Sequence, residues 1–250
     1  KEKDVRLAPE GVYIDFYRTK YEIDPFAVPL EDKLSFLEKI DKGLSRDKKI
    51  SSRDTFLHFK KEWRYFVSSE GSKILQEILK SGAGMTAVAF GDHGRASRSY
   101  PQPSGQYQTI GYEITRKLDF ESNIERLLEE VHMLLKAEPT PSGKMDLVLD
   151  GPIMSLQIHE SLAHALEMDR VMGVEESFSG TSYATVDQLG KLKIGSKLLN
   201  LYADLSIPFG LATCGYDDEG VKAHRTDLIK EGILVDYLSS REYAALIGHR

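Results

Sequence analysis

Two histidines flanking a glutamate form the part of this sequence best suited to chemistry, in the segment His159-Glu160-Ser161-Leu162-Ala163-His164. Neutral imidazoles bind Zn²⁺, and a carboxylate beside one of them can accept a proton from metal-bound water. The familiar motif H-E-x-x-H places its histidines at positions i and i+4 of one helix. Here the second histidine comes one position later, so the sequence offers the donor groups of a metal site at an unusual spacing.

The spacing of the two histidines constrains the local backbone. On a regular α-helix, residues i and i+5 diverge by roughly 140°, which is too far to share a metal ion easily. A single wider turn of the i→i+5 type realigns them, and such turns tend to occur at functional sites. We therefore predict that the helix departs from regular α geometry between Ile158 and Ala165. The alternative is a structural histidine pair, because the chain contains seven histidines and chance pairs around a glutamate occur.

A longer pattern surrounds the two histidines. The run H-E-x-x-x-H-x-x-E-x-D over residues 159–169 resembles the active-site segment of the TldD/PmbA family of zinc metallopeptidases, which were once described as modulators of DNA gyrase. Shorter stretches agree with the family in order and kind, so that the similarity covers roughly residues 20–250. These stretches are Ile23–Leu30, Ser69–Ser72, Pro141–Met145, Tyr216–Gly220 and Arg225–Leu234.

The resemblance and the donor types together imply specific roles. His159 and His164 would ligate Zn²⁺, and Glu160 would act as general base toward metal-bound water and then return the proton to the leaving amine. Glu167 and Asp169 are candidates for holding an imidazole N–H in one tautomer. Since Glu167 follows His164 by one turn, it is also a candidate ligand.

The sequence departs from the family pattern in two ways. Ala163 and Ala165 stand where glycines usually flank the second histidine. The family's third ligand is a cysteine far downstream of the histidine motif, and Cys214, the one cysteine of this chain, does not occupy that position. We therefore expect the chain to be an interior portion of a longer protein. This portion should hold zinc more weakly than the complete protein, because catalytic zinc normally has three protein ligands.

The resemblance also implies a function and partners. It implies cytoplasmic hydrolysis of peptides or unfolded polypeptides, and a dimer formed either by two copies or with a related subunit. One alternative is a non-catalytic regulatory or assembly protein of the gyrase-modulator type, with a structural histidine pair. Another is a metal hydrolase with a different substrate. Glu160 favours an enzyme, because a structural zinc site needs four ligands and no base.

Composition excludes several other classes of protein. Hydrophobic residues make up 41% and charged residues 29% of the 250 residues, which favours a folded core over disorder. The net charge of −6 argues against a general nucleic-acid surface, since such surfaces need clustered Lys and Arg. A single cysteine excludes an internal disulfide framework. No apolar run approaches the roughly 20 residues that span a bilayer, so no membrane partner is expected.

Hydrophobic periodicity predicts an α+β protein with antiparallel sheets, packed helices and two subdomains. Apolar residues at helical spacing predict helices over residues 29–45 and 120–136, the second burying Ile124, Leu127, Leu128, Val131, Leu134 and Leu135. Short alternating runs between residues 50 and 116 predict strands of a curved antiparallel sheet. The Pro- and Gly-containing stretch from Arg98 to Gln106 is predicted to be a loop.

The stretch Pro139–Gly143 is predicted to separate the two domains. The first domain would cover residues 1–143 and be incomplete at its start; the second, of metallopeptidase type, would cover residues 144–250 and be incomplete at its end. In the second domain we expect a strand at Leu147–Leu149, then the histidine helix, then a loop at residues 178–183 that lies close to this helix and whose serines have turn or capping roles. Residues 205–238 are predicted to form strand, turn and strand, with connections at Asp217–Gly220 and Lys230–Gly232.

Overall fold

A computed structural model describes residues 5–92 and 94–247 of the chain. It contains two sheets and two hydrophobic cores, and the α+β prediction is confirmed. The elements of the first half are β1 (Ile14–Arg18), α1 (Leu30–Leu44), β2 (Ile50–Val67), β3 (Lys73–Gly91), β4 (Gly94–Tyr100), β5 (Gln106–Gln108), α2 (Ile114–Lys117) and α3 (Phe120–Lys136).

The long hairpin of β2 and β3 organises the first half. Strand β3 pairs antiparallel with β2, β4 and β5, and parallel with β1, so the sheet is mixed where the sequence predicted antiparallel strands. Helices α1 and α3 pack on this sheet, where β3 presents small side chains such as Ala83, Ala87 and Ala89. Small side chains let the helices approach the sheet closely, and the resulting core excludes water from the helix faces that contact the sheet.

The two long helices were predicted closely. Helix α3 buries Ile124, Leu127, Leu128 and Val131 as expected. Leu134 was predicted to be buried as well, but 42% of it is exposed, whereas Leu135 beside it packs against the first core. The loop predicted from Arg98 to Gln106 is shorter than expected, since Arg98 lies within β4 and pairs with Ala87 of β3.

The second half of the chain is built from short elements. These are α4 (Gly151–Ile158), a π-turn at His159–Ala163, a 3₁₀ turn at His164–Leu166, α5 (Met168–Val171), α6 (Glu176–Ser179), a 3₁₀ turn at Val186–Gln188, β6 (Leu201–Asp204), β7 (Arg225–Lys230), β8 (Ile233–Leu234) and α7 (Arg241–Leu246). Leu166, Met168, Ala184 and Leu234 lie in its core. The segment that carries the histidines is therefore fixed to this core directly after His164.

Two strand predictions in the second half were wrong. Residues 145–150 form no strand, and Val148 is 95% exposed, because this apolar run has no sheet edge to pair with in the described structure. Residues 205–216 form a loop, and β7 pairs instead with the earlier strand β6. The turns were predicted correctly: Asp217 Oδ1 accepts the N–H groups of Glu219 and Val221, and Glu231 and Gly232 connect β7 to β8.

Side chains join the two halves. The amide of Gln76 on β3 pairs with the backbone of the second half, accepting from Gly215 and Tyr216 N–H and donating to the Tyr216 carbonyl at 2.8 Å. Arg241, at the start of α7, donates two 2.7 Å bonds to Glu70 in the β2–β3 turn. The Gln76 contact is buried and the Arg241–Glu70 contact is half-buried, and together they fix the second core against one end of the first sheet.

Candidate metal centre

The histidine segment continues from helix α4, and two residues fix the start of this helix. Asp150 caps the helix, its side chain accepting the Ile153 N–H at 3.2 Å, and Pro152 occupies the first turn. A proline is tolerated there because the first backbone N–H groups of a helix have no helical acceptor. The helix then runs without a break into His159.

The backbone widens at the two histidines, as the spacing predicted. Residues His159–Ala163 form a π-turn, and the N–H of His164 donates to the carbonyl of His159, five residues earlier. A 3₁₀ turn follows, and Glu167 leaves the helix with an extended backbone (φ −74°, ψ 124°). The departure from α geometry thus lies between Ile158 and Ala165.

The widened turn brings together three side chains of types that bind metal ions. The rings of His159 and His164 have their centroids 4.3 Å apart. One donor atom from each of His159, Glu160 and His164 lies within 4.8 Å of the other two. Among the described residues, no other group of three or more His, Cys, Asp or Glu side chains meets this condition. Donors that share a tetrahedral metal ion with bonds near 2.1 Å lie about 3.4 Å apart, so a small rotation of the side chains would bring these three groups to that separation.

The contacts of each ring leave one nitrogen for a metal. His159 Nδ1 lies 3.2 Å from Glu160 Oε1, and His164 Nδ1 lies 3.1 Å from Glu167. In each histidine, Nε2 is then the nitrogen available to a metal ion. The side chains of His159 and Glu160 are more than half exposed, at 57% and 59%, and His164 is one-third exposed. Water and a polypeptide can therefore reach the three groups.

The structure separates the two acidic candidates that follow His164. Both carboxylate oxygens of Glu167 lie 3.1 Å from His164 Nδ1, so Glu167 contacts the ring nitrogen that a metal would not use. Asp169 instead accepts the backbone N–H of Arg170 at 3.0 Å. This places Glu167, and not Asp169, at the histidine pair.

Cys214 lies elsewhere, in the loop between β6 and β7. Its backbone N–H donates to Leu205, and its thiol is close enough to Tyr17 on the first sheet to affect that residue's pKa. Burial raises the pKa of the Cys214 thiol. A metal-binding cysteine must be a thiolate, so both its position and its environment separate Cys214 from the histidines.

Two hydroxyl side chains of the loop predicted at residues 178–183 contact the widened turn. Ser182 Oγ donates to the Ala165 carbonyl at 2.5 Å, and Tyr183 Oη donates to the Ser161 carbonyl at 3.0 Å. The predicted proximity of residues 178–183 to the histidine helix is thus confirmed. The acceptor carbonyls have no sequence signature, so the pairing of these hydroxyl groups could not be predicted.

Comparisons with known proteins identify the family of this chain. Residues 23–135 match the PmbA/TldA metallopeptidase central domain, and residues 142–250 match the PmbA/TldA metallopeptidase C-terminal domain. A metalloprotease from Methanocaldococcus jannaschii is 31% identical over 243 residues, which are 97% of this chain and 51% of that relative. A protein from Saccharolobus solfataricus named zinc metalloprotease TldD homolog is 25% identical, over 56% of this chain and 29% of its own length.

A solved structure also shares the fold. A protein from Bacteroides thetaiotaomicron, described as a proposed modulator of DNA gyrase, superposes with a TM-score of 0.74 at 19% identity, covering 97% of this chain and 52% of that chain. The present chain spans about half the length of the relatives that it matches along most of its own length. In the part that the structure describes, no helix is long and apolar enough to cross a membrane.

Proposed function

We propose that this chain, which belongs to the PmbA/TldD metallopeptidase family, carries the metal-holding and proton-transfer residues of a zinc-dependent peptidase. One observation supports this most: the donor atoms of His159, Glu160 and His164 lie within 4.8 Å of one another on a helix widened at that point. The same spacing on a regular helix would point the two imidazoles apart.

The donor set fits zinc. Two imidazoles and a nearby carboxylate are ligand types that Zn²⁺ prefers, and an exposed site leaves a position open for water and substrate. His159 and His164 would hold the ion through Nε2, with Glu167 fixing the orientation of His164. A bound zinc ion supplies Lewis-acid chemistry, lowering the pKa of water and polarising a carbonyl group.

Glu160 is the proposed general base. Its carboxylate lies beside His159 and is more than half exposed, so it can meet a water molecule and a substrate amide at the same place. It accepts a proton from the attacking water as the peptide carbonyl is attacked. It then donates that proton to the nitrogen of the leaving amine, which prevents this nitrogen from departing as an anion.

Further parts of the proposal follow from the resemblance. We propose peptides or unfolded polypeptides as substrates, a cytoplasmic location, and a second subunit that is either identical or related. Domains of residues 1–143 and 144–250 stay a prediction, as does a third metal ligand outside residues 1–250. Because two histidines and one carboxylate make a weak set on their own, the complete polypeptide should bind zinc more tightly than these 250 residues.

The test uses the complete polypeptide and three variants. Glu160→Gln should keep zinc, measured by mass spectrometry, while peptide cleavage falls by about 100- to 10,000-fold. His159→Ala and His164→Ala should lose both. His224→Ala is the control, because this histidine is exposed and its Nδ1 lies 2.9 Å from the nearby Lys222 carbonyl, away from the histidine pair. Wild-type cleavage by Glu160→Gln would exclude the general-base role, and a zinc-loaded wild type that cleaves no peptide would favour the regulatory alternative.

A further inference from the structure

The widened turn needs support from outside its own helix. A π-turn followed by a 3₁₀ turn replaces the regular i→i+4 hydrogen bonds, and the helix ends at Leu166. The last carbonyl groups of any helix lack a following helical N–H and require other donors. A regular α-helix through this segment would form more backbone hydrogen bonds within the helix, so contacts from other residues must stabilise the wide form.

Two hydroxyl groups from one loop meet this need. Ser182 Oγ donates to the Ala165 carbonyl, one residue after His164, and Tyr183 Oη donates to the Ser161 carbonyl, between the two histidines. The two acceptor carbonyls lie on either side of His164. Adjacent residues of one loop therefore contact the middle of the π-turn and the 3₁₀ turn that follows it, on either side of the backbone that places the His164 ring.

The loop itself is held firmly. Ser182 Oγ also accepts the N–H of Ala184 at 2.9 Å, so one hydroxyl joins the loop to the histidine segment. Ala184 is fully buried in the second core, beside Leu166 and Met168. The Thr185 carbonyl accepts the Tyr237 hydroxyl at 2.9 Å. Because its base is anchored, the loop presents the two hydroxyl groups at a fixed position.

We propose that Ser182 and Tyr183 are positioning residues that hold the π-turn in the form in which His159 and His164 can share one metal ion. This inference rests on the proposed metal site. Without the two hydroxyl groups the segment can return toward regular α geometry, in which the two imidazoles diverge by roughly 140°. Neither side chain belongs to the group of donor atoms, so both act through the backbone at Ser161 and Ala165.

Metal affinity is the first test. In the complete polypeptide, the double variant Ser182→Ala/Tyr183→Phe should bind Co²⁺ about 10- to 100-fold more weakly, the range seen when groups that orient metal ligands are removed. The visible absorption of bound Co²⁺ reports the change. The single variant Ser182→Thr keeps the hydroxyl group and should therefore keep most of the wild-type Co²⁺ affinity. Tyr202→Phe is a matched control, because Tyr202 is similarly exposed and its ring packs against Arg225.

Hydrogen exchange in the metal-free protein is the second test, and it separates this inference from the proposed function. The N–H of His164, which donates to His159 in the π-turn, should exchange faster in the double variant while the amides of the second core keep their protection. Unchanged exchange and unchanged Co²⁺ affinity would overturn the inference. A wild type that binds no Co²⁺, yet shows the exchange difference, would leave the inference standing and reject the metal site.

Discussion

The Nδ1 atom of His164 lies 3.1 Å from both carboxylate oxygens of Glu167. A carboxylate only accepts hydrogen bonds, so this contact favours the tautomer with its proton on Nδ1 and a free lone pair on Nε2. That is the form in which an imidazole binds a metal ion. The extended backbone at Glu167, where the 3₁₀ turn ends, places the carboxylate beside the ring it orients.

Glu167→Ala should therefore weaken metal binding without removing a ligand. We expect zinc affinity to fall by about 10- to 100-fold, the usual cost of losing a partner that orients a metal-binding histidine. Competition with a chelator of known affinity measures it. Glu176→Ala, a change of the same type on the nearby helix α6, should leave the affinity unaltered. A complete loss of zinc with Glu167→Ala would instead identify Glu167 as a ligand.

The elements with strong local signals could be predicted from the sequence. Helices α1 and α3 have continuous apolar stripes, and their observed ends lie within a residue or so of the predicted ones. The run Leu147–Leu149 was equally apolar, but a strand needs a partner edge, and pairing between distant segments is not encoded locally. The pairing of β6 with β7 was missed for the same reason, because twenty residues of loop separate them.

The wide turn at the two candidate metal ligands was predictable because it depends on helix periodicity. The spacing of His159 and His164 required a wide turn, and the structure has one at that place. Glu167 could be proposed because it lies three residues after His164. Asp169 was proposed from the family pattern that follows His164, but the extended backbone at Glu167 interrupts the helix, and the Asp169 carboxylate accepts the backbone N–H of Arg170 instead. The support from Ser182 and Tyr183 depends on tertiary packing.

Leu166 should be essential for the stability of the second half. It is fully buried directly after the histidine turn and packs in the second core. Leu166→Ala should lower the free energy of unfolding by about 2–5 kcal/mol, because the cavity adds to the lost burial. Leu198→Ala, where the side chain is 91% exposed, should change it by less than about 0.5 kcal/mol. Denaturant titration monitored by circular dichroism compares the two, and equal effects would contradict the assigned core.

The contact of Arg241 with Glu70 should make stability depend on pH in acid. The Arg241 guanidinium holds the pKa of the Glu70 carboxyl below its ordinary value of 4.5. A lowered pKa in the folded state stabilises the protein above the unfolded value, and this contribution is lost as pH falls through the folded value. Glu70→Gln should therefore reduce the loss of melting temperature below pH 4.5. An identical acid profile in wild type and variant would show that the pair contributes nothing.

Tyr216 should ionise at a higher pH than an ordinary tyrosine. Its side chain is buried between the two halves, and its hydroxyl donates to Asp15 at 2.6 Å. Burial, followed by the hydrogen bond to the Asp15 carboxylate, raises the pKa of Tyr216 from 10.0 to about 12. A raised folded pKa gives stability that is present below pH 10 and is lost as pH rises through about 12.

The ultraviolet absorption of tyrosinate provides the measurement. In wild type, one tyrosine should ionise near pH 12, and Tyr216→Phe should remove that component. Asp15→Asn should lower the pKa of Tyr216, because the ionised Tyr216 would no longer face a negative charge. Tyr202→Phe, which changes a partly exposed tyrosine, should leave the late component in place. If Tyr216→Phe removed only a component near pH 10, burial and the Asp15 contact would not control this residue, and the contact between the two halves would be looser than the structure indicates.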